Sequence, residues 1–229
     1  MAKPEPIFSR EIFRFFKDLS RHNKKTWMDA NRERYQACVV RPFRRLLEET
    51  APAVLELDER FDTAARFGQN FSRINRDIRF AKDKTPYQPR MYLKYAVPFA
   101  GDGETGELYA GISGKTVTAG FRIYSGSKYR ASALALLGYP RCVEDASWGA
   151  KQKKRLGRRY ESYWYSAEKG DWKEQAGWPT TPEDWKRLRA WIVRTKMTPT
   201  SATRGGFARR LSRVFRDVYP LLQFMCLPD

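Results

Sequence analysis

Histidine and cysteine are scarce in this chain: there is one histidine, His22, and there are three cysteines among 229 residues. A Ser-His-Asp triad, a Cys-His dyad or an imidazole base would have to use His22, which lies in a polar turn among cations. A zinc site with two histidines is impossible within a single chain. The cysteines are widely separated and form no Cys-x-x-Cys pair: Cys38, Cys142 and Cys226. We therefore expect buried free thiols, and we assign no metal and no cofactor.

Long apolar runs are also missing. Residues 1–6 lack the apolar core of about seven residues that a signal peptide needs, and no later segment approaches about 18 consecutive apolar residues. We therefore expect a cytoplasmic protein without integral membrane association.

Carboxylates are few relative to cations, since 44 Lys and Arg against 26 Asp and Glu give a formal net charge of +18. This charge predicts attraction to nucleic acid, acidic membrane surfaces or phosphorylated metabolites.

The most informative segment is 73–87, which combines cations, two carboxylates and a proline-tyrosine turn. Cations recur at every third position: Arg73, Arg76, Arg79 and Lys82. This spacing fits neither a helical stripe nor the alternation of a strand. Pro86 disfavours the α region for Thr85, so the chain should turn or extend there. The pattern predicts an irregular loop, a kind of segment that often carries function on a rigid scaffold.

The chemistry of this loop suits an anion. Guanidinium groups bind carboxylate or phosphate in a bidentate manner, and Asp77 or Asp83 could hold one arginine while others contact a ligand. The alternative is that both carboxylates are structural partners of neighbouring cations and tie the loop to the sheet without any ligand. On the first interpretation Arg76 and Arg79 bind the anion directly. The predicted ligand-binding residues are Arg73, Arg76, Arg79, Lys82, Lys84 and Tyr87.

The same segment resembles a known family. It is similar to domain of unknown function 2461, a family found in bacteria and fungi. That family has the motif Arg-Asp-x-Arg-Phe-Ser-Lys-Asp-Lys-Thr-Pro-Tyr-Lys after a helical region. Two upstream segments support the resemblance: Phe15-Phe16-Lys17-Asp18-Leu19 and Asn23-Lys24-Lys25-Thr26-Trp27. The matching residues are Arg76, Asp77, Arg79, Phe80, Lys82, Asp83, Lys84, Thr85, Pro86 and Tyr87. Departures are Ala81, Gln88 and Met28, and Ala81 removes a hydroxyl. The resemblance runs from about Phe8 to Tyr124 and implies a fold and a site, without an activity.

Periodicity predicts helices first and a sheet afterwards. Ser9 can cap a first helix, which has Ile12, Phe16 and Leu19 on one stripe. A second helix begins near Thr26, with Trp27 as its packing anchor. Pro42 should kink this helix or begin a new one. Pro52 should act in the same way. Strands are expected over 90–97, 107–112 and 116–124, with turns at 101–103 and 113–115. Segment 111–116 ends in Ser-Gly-Lys-Thr, but because a strand follows it, a phosphate-binding loop is excluded.

The second half reads as helical and basic. We expect a short helix over 128–137, a helix capped by Thr181 with Trp185, Leu188, Trp191 and Ile192 on its buried face, and a last helix from about Phe207. A secondary basic surface precedes the aromatic run 163–165 and consists of Lys151, Lys153, Lys154, Arg155, Arg158 and Arg159. Cations beside aromatic rings suit single-stranded nucleic acid, whereas a solvated basic loop with inward-packed rings is the simpler interpretation.

The sequence thus predicts one α+β domain over 1–229, with helices packed on a mainly antiparallel sheet. Its parts are a helical part at 1–60, the site loop and sheet at 61–125, and a helical and basic part at 126–229. The leading functional hypothesis is binding of single-stranded nucleic acid or structured RNA. The alternatives are an enzyme acting on a small phosphorylated or carboxylated substrate, with Asp77 or Asp83 as general base, and a non-catalytic structural or interaction protein. No oligomeric state is assigned.

Overall fold

The computed structural model describes residues 4–79, 81–97, 105–124, 140–168 and 171–226. It contains helices at both ends of the chain and a six-stranded sheet between them, which confirms the α+β class. The turn expected at 101–103 and the helix expected over 128–137 lie outside the described residues. Within the described part of the chain, no helix is both long and apolar enough to cross a membrane.

Amphipathic helices begin the chain. The first is α1 (Glu11–Arg21), where the Ser9 hydroxyl accepts a hydrogen bond from the Glu11 amide at 3.2 Å and the stripe of Ile12, Phe16 and Leu19 is buried as predicted. After it come α2 (Lys25–Ala30), α3 (Arg32–Tyr35), a π-helical segment (Gln36–Val40) and α4 (Arg41–Leu55).

The predicted second helix is divided at Asn31. The Asn31 side chain donates to the Trp27 carbonyl at 2.9 Å and so satisfies a carbonyl at the end of α2. Pro42 lies in the first turn of α4, as predicted, whereas Pro52 lies inside α4 and does not end it. Trp27 is only half-buried, so its assignment as the packing anchor was wrong; Phe15, which Trp27 contacts at 5.6 Å between ring centres, is fully buried instead.

Six strands follow, with bounds that agree closely with those expected for the first three. They are β1 (Arg90–Val97), β2 (Thr105–Ser113), β3 (Val117–Tyr124), β4 (Glu161–Glu168), β5 (Asp171–Ala176) and β6 (Leu188–Met197). The order in the sheet is β1-β2-β3-β6-β4-β5, and β4 pairs with both β5 and β6 in the antiparallel sense. Strand β3 buries alternate side chains, as a sheet with one covered face requires.

The prediction that residues 126–229 are helical was wrong in part, because β4, β5 and β6 lie there. Thr181 caps its helix through a capping box, but the helix ends at Arg187 and the chain continues as β6. The aromatic and β-branched run Trp191-Ile192-Val193 pairs with β4, and this tertiary pairing overrides the helical spacing. The Thr181-capped helix is α6 (Pro182–Arg187). This half also contains α5 (Trp148–Leu156), a 3₁₀ turn (Gly157–Arg159), α7 (Pro199–Ala202) and α8 (Phe207–Cys226).

The chain forms two compact units. The first comprises residues 1–95, 110–118 and 196–213, and the second comprises 96–109, 119–195 and 214–229. In the first, Phe8 packs edge-on against Phe43 and Phe207. In the second, Trp191 packs against Phe121, Trp178 and Trp185.

All three cysteines are buried free thiols, as predicted, and burial raises the pKa of Cys38 to about 11 and of Cys142 to about 12.

Candidate functional site

Residues 73–79 and 81–87 have irregular backbone between α4 and β1, as the sequence predicts for this loop. Its two ends are joined by an antiparallel bridge between Asn75 and Tyr87. The amide of Arg76 donates to the Pro86 carbonyl at 2.9 Å, and the amide of Gln88 donates to the Ile74 carbonyl at 2.8 Å. These main-chain bonds close the loop at its base, so its polar tip has a defined starting geometry.

Asn23, in the turn after α1, binds the carboxyl-terminal end of this loop at Tyr87. Its side-chain Nδ2 donates to the Tyr87 carbonyl at 2.8 Å, while its Oδ1 accepts from the Tyr87 amide at 3.0 Å. The Tyr87 side chain is 7% exposed and belongs to the core of the first unit. This burial favours a packing role for the ring over stacking on a ligand.

Arg76 is oriented from within the loop. Its Nη1 donates to Asp83 Oδ2 and, at 2.9 Å, to the Thr85 hydroxyl. Asp83 Oδ1 accepts from the Thr85 amide at 2.9 Å. Hydrogen bonds from the Thr85 amide and hydroxyl and from Arg76 lower the pKa of Asp83 to about 2. Asp83 is therefore a carboxylate at neutral pH that holds one arginine in place, as expected for an orienting partner.

Arg79 and Lys84 are also engaged inside the loop. Arg79 forms a bidentate pair with Asp77, at 3.0 Å and 2.6 Å, and this bonding lowers the pKa of the carboxyl. Both side chains are largely exposed, at 76% and 61%, so the pair is weak and open to exchange with another anion. The Lys84 ammonium donates to the Ile78 carbonyl at 3.0 Å and lies 3.4 Å from the Arg79 carbonyl.

Arg73 and Lys82 complete the predicted set. Both are exposed, and within the described part of the chain neither forms a salt bridge. The Arg73 guanidinium lies beside Gly68, with its Nε 3.3 Å from the place a Cβ would take on that glycine. The loop therefore brings together Arg76, Arg79 and Lys84 with their partners, and it leaves Arg73 and Lys82 in contact with solvent.

The first unit also contains three adjoining depressions. One of about 410 Å³ is lined by Arg76, Gln88, Pro89, Arg90 and Ser113. It shares Pro89 and Ser113 with a second of about 700 Å³, which in turn shares Lys17 and Gly114 with a third of about 210 Å³. We call these together the basic groove. Its cations are Arg10, Arg14, Lys17, Arg21, Arg76, Arg90 and Lys115. Among the described residues that line these three depressions there is no carboxylate. A further depression of about 870 Å³ shares Arg10, Thr200 and Thr203 with the third; Glu11 lines it, and it is not counted in the basic groove.

Most of these groove cations were missed from the sequence. Arg10, Arg14, Lys17 and Arg21 lie at intervals of four, three and four residues along α1. Positions with these intervals share one face of a helix, opposite the buried stripe. That spacing predicts a cationic face on the helix. Such a face on an amphipathic helix is ordinarily just solvated, so the spacing alone does not indicate a binding site.

The secondary basic surface lies in the second unit, on α5 and the 3₁₀ turn after it, where a loop was expected. Its cations are exposed. Arg155 donates to the Asp217 carbonyl at 2.6 Å, Arg159 lies 3.5 Å from the Asp217 carboxylate and Lys151 pairs with Asp145 at 3.4 Å. Of the nearby rings, Trp164 is buried, while Tyr163 and Tyr165 are half-buried. The carboxylates of Asp145 and Asp217 therefore neutralise part of the charge of this surface.

In the described part of the chain no group of histidine, cysteine and carboxylate side chains is arranged to hold a metal ion. Fold and site together define an α+β protein with a closed Arg/Lys/Asp loop beside a cation-lined groove. The chain matches the family model described as "Conserved hypothetical protein (DUF2461)" over residues 11–224, and it belongs to that family. The match extends well beyond Tyr124, where the motif resemblance ended. No curated protein matches the chain.

Proposed function

We propose that the protein binds a phosphate-bearing polyanion, single-stranded nucleic acid or structured RNA, at the 73–87 loop and the adjoining basic groove. The observation that carries this proposal is the composition of the groove, which has cations on its walls and no carboxylate among its described lining residues. Low local dielectric and same-sign charge in a concave site strengthen the field that an anion experiences there. The overall charge of +18 adds long-range attraction.

Arg76 is the best-placed ligand in this proposal. Its Nη1 is used by Asp83 and Thr85, whereas its Nε and Nη2 donate to no group in the described part of the chain. Arg76 also lines the depression that contains Arg90. A guanidinium held by one edge and open at the other is pre-organised for bidentate contact with a phosphate, so little side-chain entropy is lost on binding.

The alternative of an enzyme with Asp77 or Asp83 as general base finds less support. A base works best with a pKa near the operating pH, and hydrogen bonding lowers the pKa of both carboxyls, to about 2 for Asp83. Each carboxylate is also occupied by an arginine. The geometry supports these residues as positioning partners of the cations.

The test is fluorescence anisotropy with labelled single-stranded RNA and DNA, comparing wild type with Arg76→Ala and Arg90→Ala. The control is the Arg41→Ala/Arg44→Ala pair on α4, which removes exposed cations outside the groove. We expect each groove variant to weaken binding and to flatten the log-log salt slope by about 0.7. If the control weakens binding as much as the groove variants do, the attraction is only global charge and the proposed site is wrong.

Thermal unfolding separates binding from stability. Under the proposal, Arg76→Ala still unfolds cooperatively while it loses affinity, and the loss of its bonds to Asp83 and Thr85 lowers the unfolding temperature only modestly. If the motif were purely structural, changes at Arg76 or Asp77 would lower stability, and the protein would have no polyanion affinity to lose.

A further inference from the structure

We infer that the basic groove is a track for a single-stranded phosphodiester backbone, in which α1 and the tip of the β2–β3 hairpin contact successive phosphates beyond the 73–87 loop. This inference rests on the proposed function, because it names the ligand of the same site. It adds Arg10, Arg14, Lys17, Arg21 and Lys115 to the binding residues.

The length of the cationic stripe on α1 sets the size of the ligand. Arg10 and Arg21 are separated by eleven positions, which on a helix rising 1.5 Å per residue corresponds to about 16 Å. One phosphate group cannot contact both ends of such a stripe. A chain of phosphates can, and it would continue past Pro89 to Arg90 and Arg76.

The cations of this stripe are available to a ligand. Arg10, Lys17 and Arg21 are exposed and form no salt bridge within the described residues. Arg14 has only a long contact to Glu11, at 3.7 Å, with its side chain 71% exposed. An exposed pair of this kind contributes little and exchanges readily with another anion.

The hairpin tip lines the same depression as α1 and touches α1 at Gly114. In the turn after β2, the Ser113 hydroxyl and the Thr116 hydroxyl are 2.9 Å apart, and the Ser113 hydroxyl accepts from the Thr116 amide at 3.1 Å. A Cβ on Gly114 would lie only 3.0 Å from the Lys17 backbone nitrogen, so glycine lets this turn rest directly on α1. Lys115 is thereby placed beside Lys17 and Arg21 in one depression.

The groove favours backbone recognition of one strand. Its rings, Phe13 and Phe16, are 5% and 0% exposed and provide an apolar floor rather than free faces on which bases could stack. Cations from α1 and from the hairpin line the same depression, so they can surround a single backbone. A duplex presents its phosphates on a convex surface, across grooves of about 6 to 12 Å, and would reach only the rim.

The experiment measures anisotropy of labelled oligothymidylates of about 4 and about 16 nucleotides, the range of single-strand site sizes, over a salt series. We expect the log-log slope to steepen from about −1.4 for two contacts to about −3.5 for five contacts. In Lys17→Ala/Arg21→Ala the slope for the long strand should flatten by about 1.4. The matched Arg41→Ala/Arg44→Ala variant, which loses the same charge on another helix, should leave it unchanged.

Several outcomes overturn the track. One is equal slopes for short and long strands, and another is a long-strand slope that Lys17→Ala/Arg21→Ala leaves unchanged. In both cases a loss of affinity in Arg76→Ala would still support the proposed function at the loop. Two results would refute a single-stranded nucleic acid as the ligand. One is tighter binding of a duplex of the same length. The other is displacement of the long strand by inorganic polyphosphate at a lower concentration of charge than unlabelled oligothymidylate needs. If no strand binds, the proposed function fails as well.

Discussion

The side-chain amide of Asn23 makes both available main-chain hydrogen bonds to one residue, Tyr87, donating to its carbonyl at 2.8 Å and accepting from its amide at 3.0 Å. Asn23 follows α1, which carries the cationic stripe, and Tyr87 closes the 73–87 loop. One amide therefore connects the two parts of the candidate site through fixed backbone geometry. The amide and the carbonyl of Tyr87 are thus both hydrogen-bonded, as they would be to a neighbouring strand, although Asn23 belongs to no strand.

Replacing this amide should destabilise the protein. In Asn23→Ala two partly buried main-chain groups of Tyr87 lose their partner, so we expect a loss of about 1–3 kcal/mol in the free energy of unfolding. Urea denaturation measures it. The control is Gln36→Ala, an exposed side chain without a hydrogen-bond partner in the described part of the chain, which should change stability by less than about 0.5 kcal/mol. Equal effects of the two variants would contradict the connecting role of Asn23.

Removing the carboxylate that orients Arg76 should weaken polyanion binding. In Asp83→Asn the amide oxygen can still accept from the Thr85 amide, so the loop is preserved while Arg76 loses its charged partner. Asp77→Asn makes the same change in net charge and releases Arg79 instead. We expect single-stranded RNA to bind less tightly to Asp83→Asn than to Asp77→Asn, measured by anisotropy, because Arg76 lines the groove and loses its pre-organisation only in the first variant. Equal or tighter binding by Asp83→Asn would contradict the orienting role of Asp83.

Asp83 also makes the stability of the protein depend on pH. Its pKa is about 2 in the folded protein and about 3.9 in an unfolded chain. A carboxyl with a lowered folded pKa adds stability above the unfolded value, and this addition is lost as pH falls through the folded value. The stability difference between wild type and Asp83→Asn should therefore be constant above about pH 5 and diminish towards about pH 2. Denaturation at a series of pH values tests this, and a constant difference down to pH 2 would contradict it.

Gly114 and Gly149 should respond to alanine in opposite directions. A Cβ at Gly114 would lie 2.9 Å from Lys17 Cγ and 3.0 Å from its backbone nitrogen, so Gly114→Ala should cost about 1–3 kcal/mol and weaken polyanion binding by moving the hairpin tip. At Gly149, in α5, the nearest atoms would be 3.8 Å away, and alanine should stabilise the helix by about 0.5–1 kcal/mol. Thermal unfolding with anisotropy measures both. Unchanged binding in a stable Gly114→Ala protein would argue against the hairpin as part of the groove.

The parts of the fold that follow from local rules were predicted well. Strands β1 to β3 were found because turn residues and alternating side chains delimit them, and the last helix was found because its apolar residues share one helical face. Residues Trp185, Leu188, Trp191 and Ile192 were assigned to one helix because their spacing fits a helical face and the Thr181 cap is a strong start signal. Strand β6 is buried at Ala190 through Val193, on successive positions, and a short continuous apolar run does not distinguish a buried strand from a helix.

The candidate site divides in the same way. Pairing of Asp77 and Asp83 with arginines was expected because these residues are neighbours in one loop. The basic groove was not, because it depends on a hairpin turn at Gly114 resting on α1 at Lys17, a contact between residues far apart in the chain. Nothing in the local pattern of either segment indicates the other.

The salt dependence of wild-type binding to single-stranded RNA tests the central claim most directly. Neutralisation of about five phosphates by the loop and groove should give a log-log slope near −3.5, with binding tighter than the non-specific range. A slope of this size that flattens in Arg76→Ala, with the variant still folded, is the result that the account predicts. Binding no tighter than about 10⁻⁴ M at physiological salt would contradict it and remove nucleic acid as the ligand of this protein.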